Sequence, residues 1–226
     1  MITAWDYYWN EEPNDRYRAN LVYTALVSPD RKTFCMRFHR DPAYHNNLEE
    51  NKLWTEELLQ ERFNRELDMH TKASVLLPTV PILDVDFARR EIYIKWPGDD
   101  FYMQGYRSNY DTVLPDWQEQ IKKSFRSLWG AGLCKFSMHP NSWLVFNDGI
   151  LRPFNWFFTL DVNEGPKSVN DYIIQLSDQR QEKLGNLDLN QKHSIWDLQE
   201  ICLHSFRHNY PSSLIDELIQ IKREYQ

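Results

Sequence analysis

The chain has 226 residues, 42% of them apolar and 15% aromatic, with a formal charge of −7 and an isoelectric point near 5.5. That is enough apolar material for one sizeable core or two small lobes about a cleft, and it excludes a disordered chain. No run of Lys and Arg is long enough to track a phosphate backbone, so the acidic balance argues against a nucleic-acid partner.

The opening residues, "MITAWDYYWN", lack the basic and then apolar pattern of a secretory signal. Trp5 and Trp9, with Tyr7 and Tyr8, read equally as a partner-binding patch and as side chains that pack onto the first half of the chain. Residues 17–38 read as two strands joined by a turn. "YRANLVYTALV" is β-branched and aromatic, "SPDRK" holds Pro29 and Asp30, and "TFCMRF" alternates. Phe34, Met36 and Phe38 take one face, Cys35 and Arg37 the other. Residues 52–72 are rich in helix formers and carry Leu58, Leu59, Phe63, Leu67 and Met69, which predicts a long helix with an uneven stripe. Pro78 and Pro81 close it. "PILDVD" and "EIYIKW" read as a second strand pair around "FARR", and Pro97-Gly98 marks a hinge.

From Pro115 the pattern becomes helical. Trp117, Ile121, Phe125 and Leu128 make one buried stripe on a helix that stops near Gly130 and Gly132. "WLVF" and "ILRPF" then flank Asn147-Asp148-Gly149, a hairpin signal because these residues tolerate positive φ. In "PSSLIDELIQIKREYQ" the serines read as caps, and Leu214, Leu218, Ile221 and Tyr225 form a packing stripe. The three cysteines, Cys35, Cys134 and Cys202, are odd in number and far apart, which argues for a reducing compartment rather than a disulfide framework. No apolar run approaches the roughly 20 residues that span a bilayer. The expectation is a cytoplasmic protein with no membrane partner.

A hairpin whose second strand ends in a cation, a helix with a central Glu, a strand pair ending in Pro-Gly, a long helix, and a loop followed by a hairpin come in one order. That order resembles the protein-kinase-like superfamily. "SMHPNSWLVFNDGILRPFNW" looks closest to the aminoglycoside and choline phosphotransferase branch, through His139-Pro140 and Phe154-Asn155-Trp156, and "FNRELDMHTKAS" resembles the helix that carries an ion-pairing Glu, here Glu66. The resemblance implies an α+β fold of two lobes, 1–97 and 98–226. The first holds a small antiparallel sheet with one long helix, and the second is a shortened, mainly helical lobe. It also implies that ATP and Mg²⁺, where bound, would lie against Arg37, Glu66, Cys35 and Trp96.

Kinases place the catalytic Asp about five residues before the metal-binding Asn and about 18 before the metal-binding Asp. Aligning His139-Pro140 with the family loop puts those roles at Ser137, Ser142 and Asn155, and both intervals fit. The residue types do not. Ser137 cannot accept a proton near neutral pH, and Ser142 and Asn155 offer Mg²⁺ no carboxylate. Lys135 stands where the family has the opening His, and "NDRYRANLVY" contains no glycine to cover phosphates. Arg37 replaces the phosphate-contacting Lys and is expected to pair with Glu66. Asp161 is the one nearby acid with any claim to a metal site. His139 is expected to shape its loop and Asp148 to be a turn residue, and Cys202, His204 and His208 are expected to form no zinc site because only the two histidines share a helical face. The expected function is that of a pseudokinase acting through a protein partner. The alternatives are a divergent phosphotransferase or nucleotide binder, and a structural or assembly subunit, viral or otherwise.

Overall fold

In the computed structural model, which describes residues 6–7, 23–38, 55–97, 114–164 and 194–226, the alternation at residues 33–38 sits at the centre of a five-stranded sheet. The first elements in chain order are β1 (Asp6–Tyr7), β2 (Thr24–Val27), β3 (Thr33–Arg37), the helix α1 (Glu56–Ser74), β4 (Ile82–Asp86) and β5 (Glu91–Lys95). Across the sheet the order is β1-β2-β3-β5-β4, antiparallel throughout. Both hairpins read from the sequence are present. The aromatic N-terminus apart from Asp6–Tyr7, and Gly98 of the expected hinge, lie outside the described residues.

Thr55 caps α1 by accepting from the Leu58 N–H, and Glu56 and Glu57 in the first turn suit the positive end of the helix dipole. The uneven stripe has a simple cause. The buried face of α1 is half polar, with Arg62, Glu66 and His70 stacked at four-residue spacing beside Leu59, Phe63, Met69 and Ala73.

The second half begins with α2 (Trp117–Gly130), followed by β6 (Leu133–Lys135), β7 (Trp143–Val145), β8 (Leu151–Pro153), β9 (Thr159–Asp161), α3 (Ile195–Ser205) and α4 (Ser212–Lys222). β7 and β8 pair around the Asn147–Gly149 turn, where Gly149 has φ +71°, and β6 pairs with β9. Trp117, Ile121, Phe125 and Trp129 of α2 pack with Leu198 and Leu203 of α3 and Leu214 and Leu218 of α4 into one core, while Leu128 turns to a smaller cluster with Met69, Ala73 and Trp156. A second core joins the sheet and α1 to Leu144, Phe146, Phe154 and Phe157, so apolar packing runs across the expected lobe boundary. The architecture is α+β. No helix among the described residues is long and apolar enough to cross a membrane.

One helix start differs from expectation. Ser212 and Ser213 do not cap α4, whose N-cap is Pro211 with no side-chain bond, because the proline places both serines inside the first turn. The serine cap belongs to α3, where Ser194 and Asp197 form a reciprocal capping box. α2 ends as expected. Gly132, at φ +74°, turns the chain out of the helix, and an added Cβ there would meet Val162 Cγ2 at 2.9 Å. Gly130 is helical, with Tyr225 at an ordinary 3.4 Å from such a carbon. Gly132→Ala should therefore cost about 1–3 kcal/mol in denaturant unfolding, while Gly130→Ala should be neutral or gain up to about 1 kcal/mol. Equal effects at the two positions would contradict this account.

Candidate functional site

Between β8 and β9 the backbone of residues 154–158 pairs with no sheet strand, so its polar groups must find other partners. Side chains supply most of them. Glu66 Oε2 accepts from the N–H groups of Trp156 at 2.5 Å and Phe157 at 2.7 Å. The Lys135 ammonium donates to the carbonyls of Phe154 and Asn155, each at 2.7 Å, and lies 4.8 Å from the centre of the Trp156 ring. Arg62 donates to the Phe157 carbonyl at 3.2 Å, and Arg65 donates to that of Thr159 at 3.1 Å while gripping Glu164 with two bonds. α1 and β6 together hold this segment.

Glu66 and Lys135 are only 2% and 0% exposed. Burial pushes the Glu66 carboxyl up, opposed by Lys135 and the two N–H donors, and pushes the Lys135 ammonium down, opposed by Glu66. Each is the other's counter-charge. His70, one turn beyond Glu66, packs edge-on against Trp156 and shares a hydrogen bond with Thr79 Oγ1. Burial, reinforced by Lys135, lowers its pKa to about 4.

Two of the three positions read from the loop spacing come together. Asn155 Nδ2 donates to Ser142 Oγ at 3.3 Å, and Asn155 holds the left-handed conformation at φ +63°. Ser137, half-buried, follows β6 in a tight bend closed by the Met138 N–H on the Phe136 carbonyl. Asn155 Oδ1 is engaged as well, accepting from the Tyr23 hydroxyl at 2.7 Å. Tyr23 belongs to an aromatic cluster in the space between the sheet and residues 154–157. It packs on Phe38 at 5.5 Å and edge-on against Phe157 at 5.7 Å, while Phe34 stacks on Trp96 at 4.9 Å and meets Phe154 at 6.2 Å. Trp96, read as a nucleotide contact, is a buried member of that cluster.

The expected pairing of Arg37 with Glu66 does not form. Arg37 Nε bonds instead to Glu91, its direct cross-strand partner on β5, and Glu91 also accepts from the Tyr93 hydroxyl. The reason is the period of the strand. Phe34, Met36 and Phe38 point towards α1 and residues 154–157, so Arg37 and Cys35 face the other way, and the side chain that meets α1 at this strand end is Phe38, against Phe63. Cys35 is buried beside Tyr93 and Glu91, and its thiol is pushed up to about 12, chiefly by burial.

The remaining residues fall apart spatially. Asp161 lines a depression between α1 and the end of β9 with Glu61, Arg65, Asp68 and Glu164, to which Asn155 does not contribute, and its Oδ1 accepts from Asn163. It does not supply the acid missing beside Asn155. Asp148 is a turn residue: it accepts from the Ile150 N–H and is held by Arg152 through two bonds, which lower its pKa to about 2. His139 shapes its loop through a carbonyl that accepts from Ser142 and a ring edge-on to Phe206. Cys202 points inward to the Phe136 carbonyl, whereas His204 is exposed, and α3 ends at Ser205, so His208 shares no helical face with it. Among the described residues no three His, Cys, Asp or Glu side chains are placed to hold a metal ion.

In order and placement, the antiparallel sheet, the helix with a buried Glu, and the loop–hairpin bringing Ser142 to Asn155 follow the succession of elements expected from the sequence. No protein-family model matches the chain, and no curated protein matches it. Solved structures do resemble it. A medium-resolution structure of the bifunctional kinase-methyltransferase WbdD is 12% identical with a TM-score of 0.48, covering 100% of this chain and 47% of its own. A 2.2 Å structure of WbdD is 10% identical with a TM-score of 0.46, at 100% and 46% coverage. The Rio2 kinase–ADP/Mg²⁺-phosphoaspartate complex from Chaetomium thermophilum is 10% identical with a TM-score of 0.45, at 90% and 67% coverage. The chain thus spans about half the length of the WbdD chains it matches.

Glu66→Ala leaves two buried N–H groups unmet and strands Lys135, so it should cost about 3–5 kcal/mol in equilibrium unfolding. Glu66→Gln keeps an oxygen acceptor and should cost clearly less; indistinguishable losses would deny the carboxylate its place in the clamp. His70 gives a pH signature. Its folded pKa lies near 4 against an ordinary 6.5, so below 6.5 the unfolded chain takes up a proton that the folded chain refuses. Its contribution is fully present above that pH and is lost as the pH falls towards 4, up to about 3 kcal/mol. Relative to the wild type, His70→Gln should lose less stability between pH 6.5 and pH 4, and parallel stability curves would refute this assignment.

Proposed function

We propose that this chain is a kinase-like protein that transfers no phosphoryl group and acts by binding a protein partner, with lobes near 1–97 and 98–226 about a closed cleft. The observation that carries this reading is the filling of the space between the sheet and Asn155. Tyr23, Phe34, Phe38, Phe154 and Phe157 occupy it, and the Asn155 amide is committed to Tyr23 on one side and Ser142 on the other.

The chemistry agrees. Phosphoryl transfer depends on cations and metal ions placed around the phosphates. Here the strand cation Arg37 faces away, Lys135 is sealed against two carbonyls, and the buried acid Glu66 is spent on backbone N–H groups. Mg²⁺ prefers carboxylate oxygen, and Ser142 and Asn155 offer a hydroxyl and an amide already bonded to each other. These residues do not fit ATP and Mg²⁺. A fold kept without its acids serves as a shape, and a cytoplasmic protein partner is the use that remains in this reading.

The test is thermal unfolding of the full chain with and without ATP, each with and without Mg²⁺. A ligand at about 100 times its dissociation constant stabilises the native state by about 2.7 kcal/mol. The expected result is an unchanged midpoint at millimolar ATP in both conditions. A Mg²⁺-dependent rise would overturn the reading and return the chain to the divergent nucleotide binders.

A further inference from the structure

We draw no further inference here: the strongest candidate, the depression of about 450 Å³ between α1 and β9 lined by Glu61, Asp68, Asp161 and Glu164, is an acidic cluster partly met by its own Arg65 and Lys72, and nothing among the described residues shows what occupies or covers it.

Discussion

The bond from Glu66 to the backbone of Trp156 and Phe157 is the constraint on which the rest of the arrangement depends. A carboxylate removed from water is costly unless it is hydrogen-bonded and met by an opposite charge. Both conditions are satisfied here, by two N–H groups and by Lys135, and in satisfying them the chain fixes the path of residues 154–157. With the path fixed, Phe154 and Phe157 point into the sheet's aromatic face, Trp156 turns the other way into a cluster with Met69, Ala73 and Leu128, and Asn155 meets Ser142. A polar requirement thus places the apolar core.

The same arrangement explains why apolar packing passes from the sheet side to the α2 side. α1 contributes Leu59 and Phe63 to the sheet side and Met69 and Ala73 to the α2 side, while its polar face reaches the segment between them. Among the described residues this seam is lined by rings at centroid separations of 4.9–6.3 Å, within the range of favourable aromatic contacts.

Much of this was legible in the sequence because it is periodic. The alternation of residues 33–38, the stripe of α2 and the Asn147–Gly149 turn each follow from local rules, and each is present. The loop spacing brought Ser142 to Asn155. The features that were not legible involve long-range choices. The Arg37–Glu66 pairing was read from family order, yet the alternation already placed Arg37 on the face opposite Phe38 and Phe34, so strand period was the stronger guide. Lys135 and Tyr23 gave no local signal, since their partners lie 20 and 132 residues away. Arg62, Glu66 and His70 did leave a trace: three polar residues at four-residue spacing that spoil an otherwise apolar stripe mark a helix whose buried face does polar work.

The backbone at Asn155 has a consequence of another kind. At φ +63° few side chains are tolerated beyond glycine, asparagine and aspartate. Sequence drift at this position is therefore channelled by conformation before any ligand is considered. Asparagine and aspartate are near-isosteres, and an aspartate could still accept from the Tyr23 hydroxyl and, with the serine proton turned around, from Ser142. Asn155→Asp would thus place a negative charge between the Tyr23 and Ser142 hydroxyls with no change in the backbone path.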